Sequence, residues 1–151
     1  MAHRNRFKGA EQKREPGGFV ALPFSVLRST SYAVLSAYAV KLLNDLLAQY
    51  KGDNNGDLCA AWTLMKKERG WKSRDTLQKA LKELLAREWL VLARQGGRRV
   101  PNLYAVTFFN VDACGGKLDI TATHRPMSLW RNHEPSLPLI PDPAKRNGFF
   151  A

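Results

Sequence analysis

Apolar residues first recur with a helical period in the segment that follows Ser36. They are three and four residues apart, as on one face of a helix, and comprise Tyr38, Leu42, Leu43, Leu46, Leu47 and Tyr50. Ser36 is a suitable N-cap because its hydroxyl can accept a hydrogen bond from a free backbone N–H. The stretch KGDNNGD ends the helix and predicts a tight turn. The residues expected to take positive φ angles there are Gly52, Asn54, Asn55 and Gly56.

Two further helices are predicted in close succession. The first runs from about Ala61 to Arg69, and Gly70 is expected to take the left-handed conformation that follows a helix C-terminus. The second begins after Ser73, its N-cap, and extends over about four turns. Its apolar stripe consists of Leu77, Ala80, Leu81, Leu84 and Leu85.

The pattern then changes to two short runs of β-branched, aromatic and aliphatic residues. These runs, LVLAR and LYAVTFF, predict two strands joined by the turn-forming stretch QGGRRVPN. A short extended segment is also expected at Leu58 and Cys59, and a helical turn near Pro23. The result is a β-hairpin whose tip carries Arg98 and Arg99.

The ends of the chain have weaker patterns. Residues 1–18 are polar and end in Pro-Gly-Gly, which predicts a flexible basic arm because little surface can be buried. Residues 19–109 form the predicted domain, and residues 110–151, with five prolines, form a predicted irregular tail. Trp130 is expected to fold back on the domain. Phe149 and Phe150 are candidates for docking a protein partner, although an unstructured chain end explains them equally well.

This order of elements predicts a mainly α fold with a small β-hairpin, namely a winged helix-turn-helix with a three-helix core and a two- or three-stranded wing. SRDTLQKALKELLAREWL resembles the recognition helix and following strand of GntR-type transcription regulators, except that Glu88 stands where those proteins usually have glycine. Residues 19–109 are also similar to winged-helix proteins of plasmids and phages, including the DNA-binding modules of replication initiators. The resemblance implies that DNA is contacted by Arg74, Asp75, Thr76 and Gln78.

Charge supports the same surface. The chain has 24 Lys and Arg against 13 Asp and Glu, a formal net charge of +11, which favours a polyanionic partner. Eleven basic side chains stand against four acidic ones between Trp62 and Val100. With its leucines buried, the helix that follows Ser73, the third of the predicted helices, turns polar side chains outward, and its N-terminus suits a phosphate. The further predicted DNA contacts are Lys66, Lys67, Arg69, Lys72, Ser73, Lys79, Lys82, Arg94, Arg98 and Arg99.

Simpler interpretations of these residues also stand. A charged helix face is commonly a solvated face, and arginines at a hairpin tip also prevent edge-to-edge pairing. Gln78 can pair with adenine through two hydrogen bonds, yet an exposed helical glutamine is common and has good helix propensity. The alternative function is a protein-interaction or RNA-binding adaptor that uses the helix surface and the tail.

Several function classes find no support in the sequence. No phosphate loop, nucleophile elbow or paired carboxylates occur, which predicts a protein that is not an enzyme and needs no cofactor. His3, His124, His133, Cys59 and Cys114 lack metal-ligand spacing, so no metal is predicted. No apolar run is long enough to cross a bilayer. We therefore expect a cytoplasmic transcription regulator or replication-initiation factor that binds double-stranded DNA, with a homodimer and a tail-bound protein as further possible partners.

Overall fold

The computed structural model describes residues 13–135. The helices are α1 (Phe24–Leu27), α2 (Thr30–Ala33), α3 (Ala37–Leu47), α4 (Trp62–Glu68) and α5 (Arg74–Ala86), and the strands are β1 (Leu58–Cys59), β2 (Leu90–Arg94) and β3 (Leu103–Val106). Two 3-10 turns follow, Cys114–Gly116 and Leu129–His133. The predicted arm and tail lie partly outside the described residues, and Phe149 and Phe150 lie wholly outside them.

Serine caps start three of the five helices, namely α2, α3 and α5. The hydroxyls of Ser36 and Ser73 accept hydrogen bonds from the N–H groups of Ala39 and Thr76, each at 3.2 Å, which confirms both predicted N-caps. A third cap, at Ser29, starts α2. Gly70 has φ 70°, so the predicted left-handed residue after α4 is confirmed as well. The short turn at Gly70 places the start of α5 directly after α4.

The three strands form one antiparallel sheet in the order β1-β3-β2. Leu58 pairs with Tyr104, and Leu90 pairs with Val106. The predicted hairpin strands are therefore confirmed, although β3 ends at Val106 and the chain leaves the sheet after one further hydrogen bond, from the Thr107 N–H to the Trp89 carbonyl at 3.1 Å. The far edge of β1 is covered by Gln49, whose side-chain amide donates to the carbonyl oxygen of Cys59 and accepts from its N–H.

Side chains on the two sheet faces enter two different apolar clusters, as the alternation of side chains along a strand requires. On one face, Leu90, Tyr104 and Val106 join the leucines of α3 and α5 in the main core. On the other face, Ala93 and Ala105 pack with Val111. The partly buried residues that complete this second cluster are Val91, Leu118, Ile120 and Met127. The sheet is thus covered on both faces.

The predicted fold class is wrong. The chain is an α/β mix with five helices and a three-stranded antiparallel sheet among its described residues, and it shows no three-helix winged core. The core is built by α3 packed on α5 and by the sheet. Helix α4 contributes Met65 as its single fully buried residue. The hairpin strands are present, but residues after Asn110 cover the sheet face that a solvent-exposed wing would leave open.

Trp130 lies in the main core. Its side chain is 1% exposed, and its ring stacks on that of Trp89 with a centroid separation of 5.0 Å. The prediction that Trp130 folds back on the domain is therefore confirmed. The segment around it is held to α2 by the side chain of Glu134, whose Oε1 accepts a hydrogen bond from the Ser31 N–H at 2.7 Å.

Candidate nucleic-acid interface

The exposed side of α5 is a ridge with two flanks. Residues advance by about 100° around a helix. With Leu77 buried, Arg74 and Gln78 lie on one flank, and Ser73 and Thr76 lie on the other. The outward crest between the flanks carries Asp75, Lys79 and Lys82.

The β2–β3 loop presents two arginines at its tip. Gly97 and Val100 bridge each other, with the Gly97 N–H donating to the Val100 carbonyl at 2.8 Å, so Arg98 and Arg99 occupy the centre of a four-residue turn. Both side chains are exposed. Gly96 is required here because a Cβ at this position would lie 2.0 Å from the Val100 carbonyl oxygen. The loop therefore holds the two cationic side chains on a closed, defined turn.

A cavity of about 530 Å³ separates the loop from α5 and the start of α4. It brings together four residues predicted to contact DNA, namely Arg74, Gln78, Arg98 and Arg99. The cavity is also lined by the side chains of Trp62, Asn102 and Tyr104. We call this surface the arginine groove. It joins three cationic side chains with amide and aromatic groups, the combination that binds phosphates and base edges.

The sequence does not predict Trp62, Asn102 and Tyr104 as parts of the groove. The sequence indicates Asn102 only as a turn former, but its Oδ1 also accepts a hydrogen bond from the Gly96 N–H at 2.7 Å and so closes the loop. Trp62 begins α4, and Lys66 lies one turn later with its Nζ 5.8 Å from the Trp62 ring centroid. In sequence, an aromatic residue four positions before a lysine is a weak signal. Only the path of the chain through β2 and β3 shows that Trp62 faces the β2–β3 loop.

On the crest, two residues that are predicted to contact DNA form an ion pair with each other. Lys79 Nζ lies 2.9 Å from Asp75 Oδ2, and both side chains are about three-quarters exposed. The hydrogen bond from Lys79 to Asp75 and the charge of Asp75 raise the pKa of Lys79. Such an exposed pair adds little stability. Lys79 therefore stays charged, but the negative charge of Asp75 weakens its attraction for a phosphate.

Arg69 belongs to a hydrogen-bonded cluster around the buried carboxylate of Asp45. Asp45 is 3% exposed, and its carboxylate accepts hydrogen bonds from Lys41 Nζ at 2.8 Å, Arg69 Nε at 2.9 Å and Trp71 Nε1 at 2.7 Å. Burial raises the pKa of Asp45, but the three hydrogen bonds and the charge of Lys41 outweigh it and lower the pKa below its usual value. Arg69 therefore ties α4 to α3, and the structure does not place it in the arginine groove.

The remaining predicted contacts fall in different places. Lys66 and Lys67 are exposed on α4, and Lys82 is exposed on α5. Arg94 is half-buried and donates from Nη2 to the Pro101 carbonyl at 3.2 Å, so it braces the loop from inside. Lys72 lies on the opposite flank of α5 from the arginine groove. The structure thus unites four of the predicted residues and distributes the others around them.

The cluster at Asp45 predicts a pH-dependent change in stability. Asp45→Asn removes the charge that Lys41 and Arg69 share and is expected to lower the free energy of unfolding at pH 7 by about 2–4 kcal/mol. Because the folded-state pKa is depressed, the carboxylate's contribution is complete above the unfolded pKa of about 4 and disappears as the pH falls through the lower folded value. Urea unfolding at pH 7 and at pH 3 measures the difference.

Asp53→Asn is the matched control, since Asp53 is exposed and the same substitution there should change stability by less than about 0.5 kcal/mol. A loss in Asp45→Asn that is equally large at both pH values would show that side-chain shape, and not the charge, stabilises the cluster.

Comparisons with known proteins found no family model, curated protein or solved structure that matches this chain. The likeness to GntR-type regulators and to replication-initiator modules therefore stays a prediction. Within residues 13–135, no three His, Cys, Asp or Glu side chains are grouped so that they could hold a metal ion. Nor does any helix of that part of the chain combine the length and apolar character that crossing a bilayer requires.

Proposed function

We propose that this protein binds duplex DNA, with the N-terminal half of α5 in the major groove and the Arg98–Arg99 turn on the adjacent phosphates or minor groove. The observation that carries the proposal is the arginine groove, in which a helix end and a basic loop meet. An α-helix fits a major groove about 12 Å wide, and arginine fits a narrow minor groove. The formal net charge of +11 supports a polyanionic partner.

The roles in DNA binding divide by position. Arg74 and Gln78 border the helix flank, where guanidinium and amide groups can form paired hydrogen bonds with guanine and adenine. Arg98 and Arg99 project from the loop and suit phosphate contacts, which add affinity without reading sequence. Transcription control or replication initiation on a plasmid or phage genome, without enzymatic activity and in the cytoplasm, is the biological role that we attach to this proposal.

Selection of bound duplexes from a random-sequence pool at near-physiological salt is the direct test. An enriched motif is expected if Arg74 and Gln78 read bases, and an inverted repeat within it would indicate a two-fold dimer. Retention without enrichment would reduce the function to backbone binding. Failure to retain any duplex, with binding of RNA or of protein instead, would overturn the proposal in favour of an adaptor.

The loop arginines give a quantitative prediction. If each neutralises one phosphate, Arg98→Ala/Arg99→Ala should make the slope of log affinity against log salt shallower by about 1.8. This corresponds to a roughly ten-fold smaller loss of affinity between 50 and 200 mM salt. Fluorescence anisotropy with a labelled duplex over a salt series measures the slope.

Lys51→Ala/Arg125→Ala is the matched control. It removes the same charge from two exposed residues that lie outside the arginine groove, one after α3 and one in the segment after β3. The control should leave the slope nearly unchanged. Equal slopes for the two double variants would remove the loop from the DNA interface.

A further inference from the structure

A second cavity lies on the other flank of α5. It has a volume of about 300 Å³ and is bordered by α3, by the segment between α4 and α5, and by the first turn of α5. The lining side chains that matter are Tyr38, Lys41, Trp71, Lys72 and Thr76. We call this cavity the tyrosine pocket.

Its walls combine aromatic surface with positive charge. Tyr38 is 57% exposed, and its ring lies 5.9 Å from that of Trp71 between centroids. Lys41 Nζ lies 5.1 Å from the Trp71 ring centroid but is hydrogen-bonded to Asp45. Lys72 is exposed, and no carboxylate among residues 13–135 forms a salt bridge with it. Lys72 and the Tyr38 hydroxyl are therefore the groups that can meet a ligand.

The positions of the two cavities are related through the helix between them. Arg74 and Gln78 border the arginine groove, whereas Ser73 and Thr76 border the tyrosine pocket. An α-helix with its side chains is about 10–12 Å across, close to the width of the major groove. When such a helix occupies the groove, the two sugar-phosphate backbones that border the groove run along its two flanks.

We propose that the tyrosine pocket binds a phosphate of the DNA strand opposite to the one held by the Arg98–Arg99 turn. Lys72 supplies the positive charge, and the Tyr38 hydroxyl donates a hydrogen bond to a phosphate oxygen. This inference rests on the proposed binding of duplex DNA and adds to it: α5 is held from both sides, one backbone in each cavity. The two contacts fix the rotation of α5 in the groove, which is what phosphate contacts do for base readout.

The test uses the full chain and two duplexes of the same mixed sequence. One has ordinary phosphates, and in the other a single strand carries uncharged methylphosphonates throughout. On the ordinary duplex, Lys72→Gln should make the log–log salt slope shallower by about 0.9. Tyr38→Phe should weaken binding with little change in slope, because the hydroxyl is uncharged. Lys51→Gln, beyond the opposite end of α3, is the control and should change neither quantity.

The half-neutral duplex tests which strand each cavity holds. If the cavities hold opposite strands, the protein places the arginine groove on the charged strand and the tyrosine pocket on the neutral one. Lys72→Gln should then leave the slope on this duplex unchanged, whereas Arg98→Gln should still make it shallower. A persistent effect of Lys72→Gln there would put both cavities on one strand and overturn the proposal.

The remaining outcomes separate the two proposals. If the wild-type protein binds the ordinary duplex and Lys72→Gln has the wild-type slope, the tyrosine pocket is not a phosphate site although DNA binding stands. If the wild-type protein shows no salt-dependent duplex binding, the proposed function fails and the pocket's assignment fails with it. Circular dichroism and thermal unfolding of each variant confirm that it is folded before its slope is compared.

Discussion

Asn55→Ala is expected to lower the free energy of unfolding by about 3–5 kcal/mol. Asn55 is fully buried, and its Nδ2 donates to the carbonyl oxygens of Val106 at 3.0 Å and Asn110 at 2.8 Å, with a longer contact of 3.3 Å to Phe109. Its Oδ1 accepts from the Val106 N–H at 2.9 Å. Alanine leaves these backbone groups without a partner in the protein interior, and each such group costs about 1–3 kcal/mol.

The Asn55 side chain acts where β3 ends. The ladder stops at Val106, and the chain must turn away while its backbone groups stay buried. Asn55, in the loop after α3, supplies the hydrogen-bond partners of those groups. The Asp112 carboxylate in turn accepts a hydrogen bond from the Asn55 N–H at 2.9 Å. Loss of this amide should therefore loosen both the end of β3 and the segment that follows it.

Urea unfolding followed by circular dichroism measures the change in Asn55→Ala. Asn44→Ala, on the exposed face of α3, is the control and should stay within about 0.5 kcal/mol of the wild type. Hydrogen exchange gives a second measurement, since the Val106 amide should lose more protection than the Ala39 amide. A variant with wild-type stability would show that water replaces the amide at no cost.

Local sequence signals predicted the local structure well. The serine caps, the periodic leucines and the β-branched hairpin strands depend on neighbours within a few residues, so α3, α5 and the hairpin were found close to their observed positions. The turn after α3 was only partly predicted. Gly52 and Gly56 have positive φ as predicted, but Asn54 and Asn55 do not. These two residues act through their side chains: Asn54 Oδ1 accepts from the Lys51 N–H within the turn, and Asn55 reaches the distant end of β3.

Long-range packing was not predictable in the same way. Residues after Asn110 carry scattered apolar side chains with no period, and their partners on the sheet become visible only once the strands are paired. The same limit explains the wrong fold class, because coverage of the second sheet face is not a property of any one segment. At Glu88, where the resemblance expects glycine, the backbone takes φ 56° and Thr107 Oγ1 donates to the Glu88 carbonyl at 2.8 Å.

The candidate site likewise contains residues that the sequence predicts and residues whose role only the packing reveals. Charge and turn chemistry predict Arg98 and Arg99, and the resemblance to GntR-type regulators predicts Arg74 and Gln78; all four line the arginine groove. Helical spacing places Tyr38 in the apolar stripe of α3, yet it is exposed beside Lys72. Helical periodicity assigns a face to such a residue but does not show whether another element covers its end of the helix.

Trp130→Ala is expected to lower the free energy of unfolding by about 3–5 kcal/mol, the range for removing a buried tryptophan. Trp130 is stacked on Trp89, and Trp89 also forms T-shaped contacts with Tyr32 and Phe108. Removing the Trp130 indole therefore opens a cavity in the middle of an aromatic cluster. Since small domains are stable by only about 5–15 kcal/mol, this loss is a large part of the total.

Two matched variants interpret the result. Trp130→Phe keeps a ring against Trp89 and should lose much less stability than alanine, whereas Phe24→Ala removes a ring that is 68% exposed and should change stability by less than about 0.5 kcal/mol. Chemical denaturation of the three variants gives the comparison. If Trp130→Ala is as stable as Phe24→Ala, residues 110–135 do not share a cooperative core with residues 19–109. If it is strongly destabilised, a chain cut after Phe109 loses a wall of its own core and should not fold cooperatively.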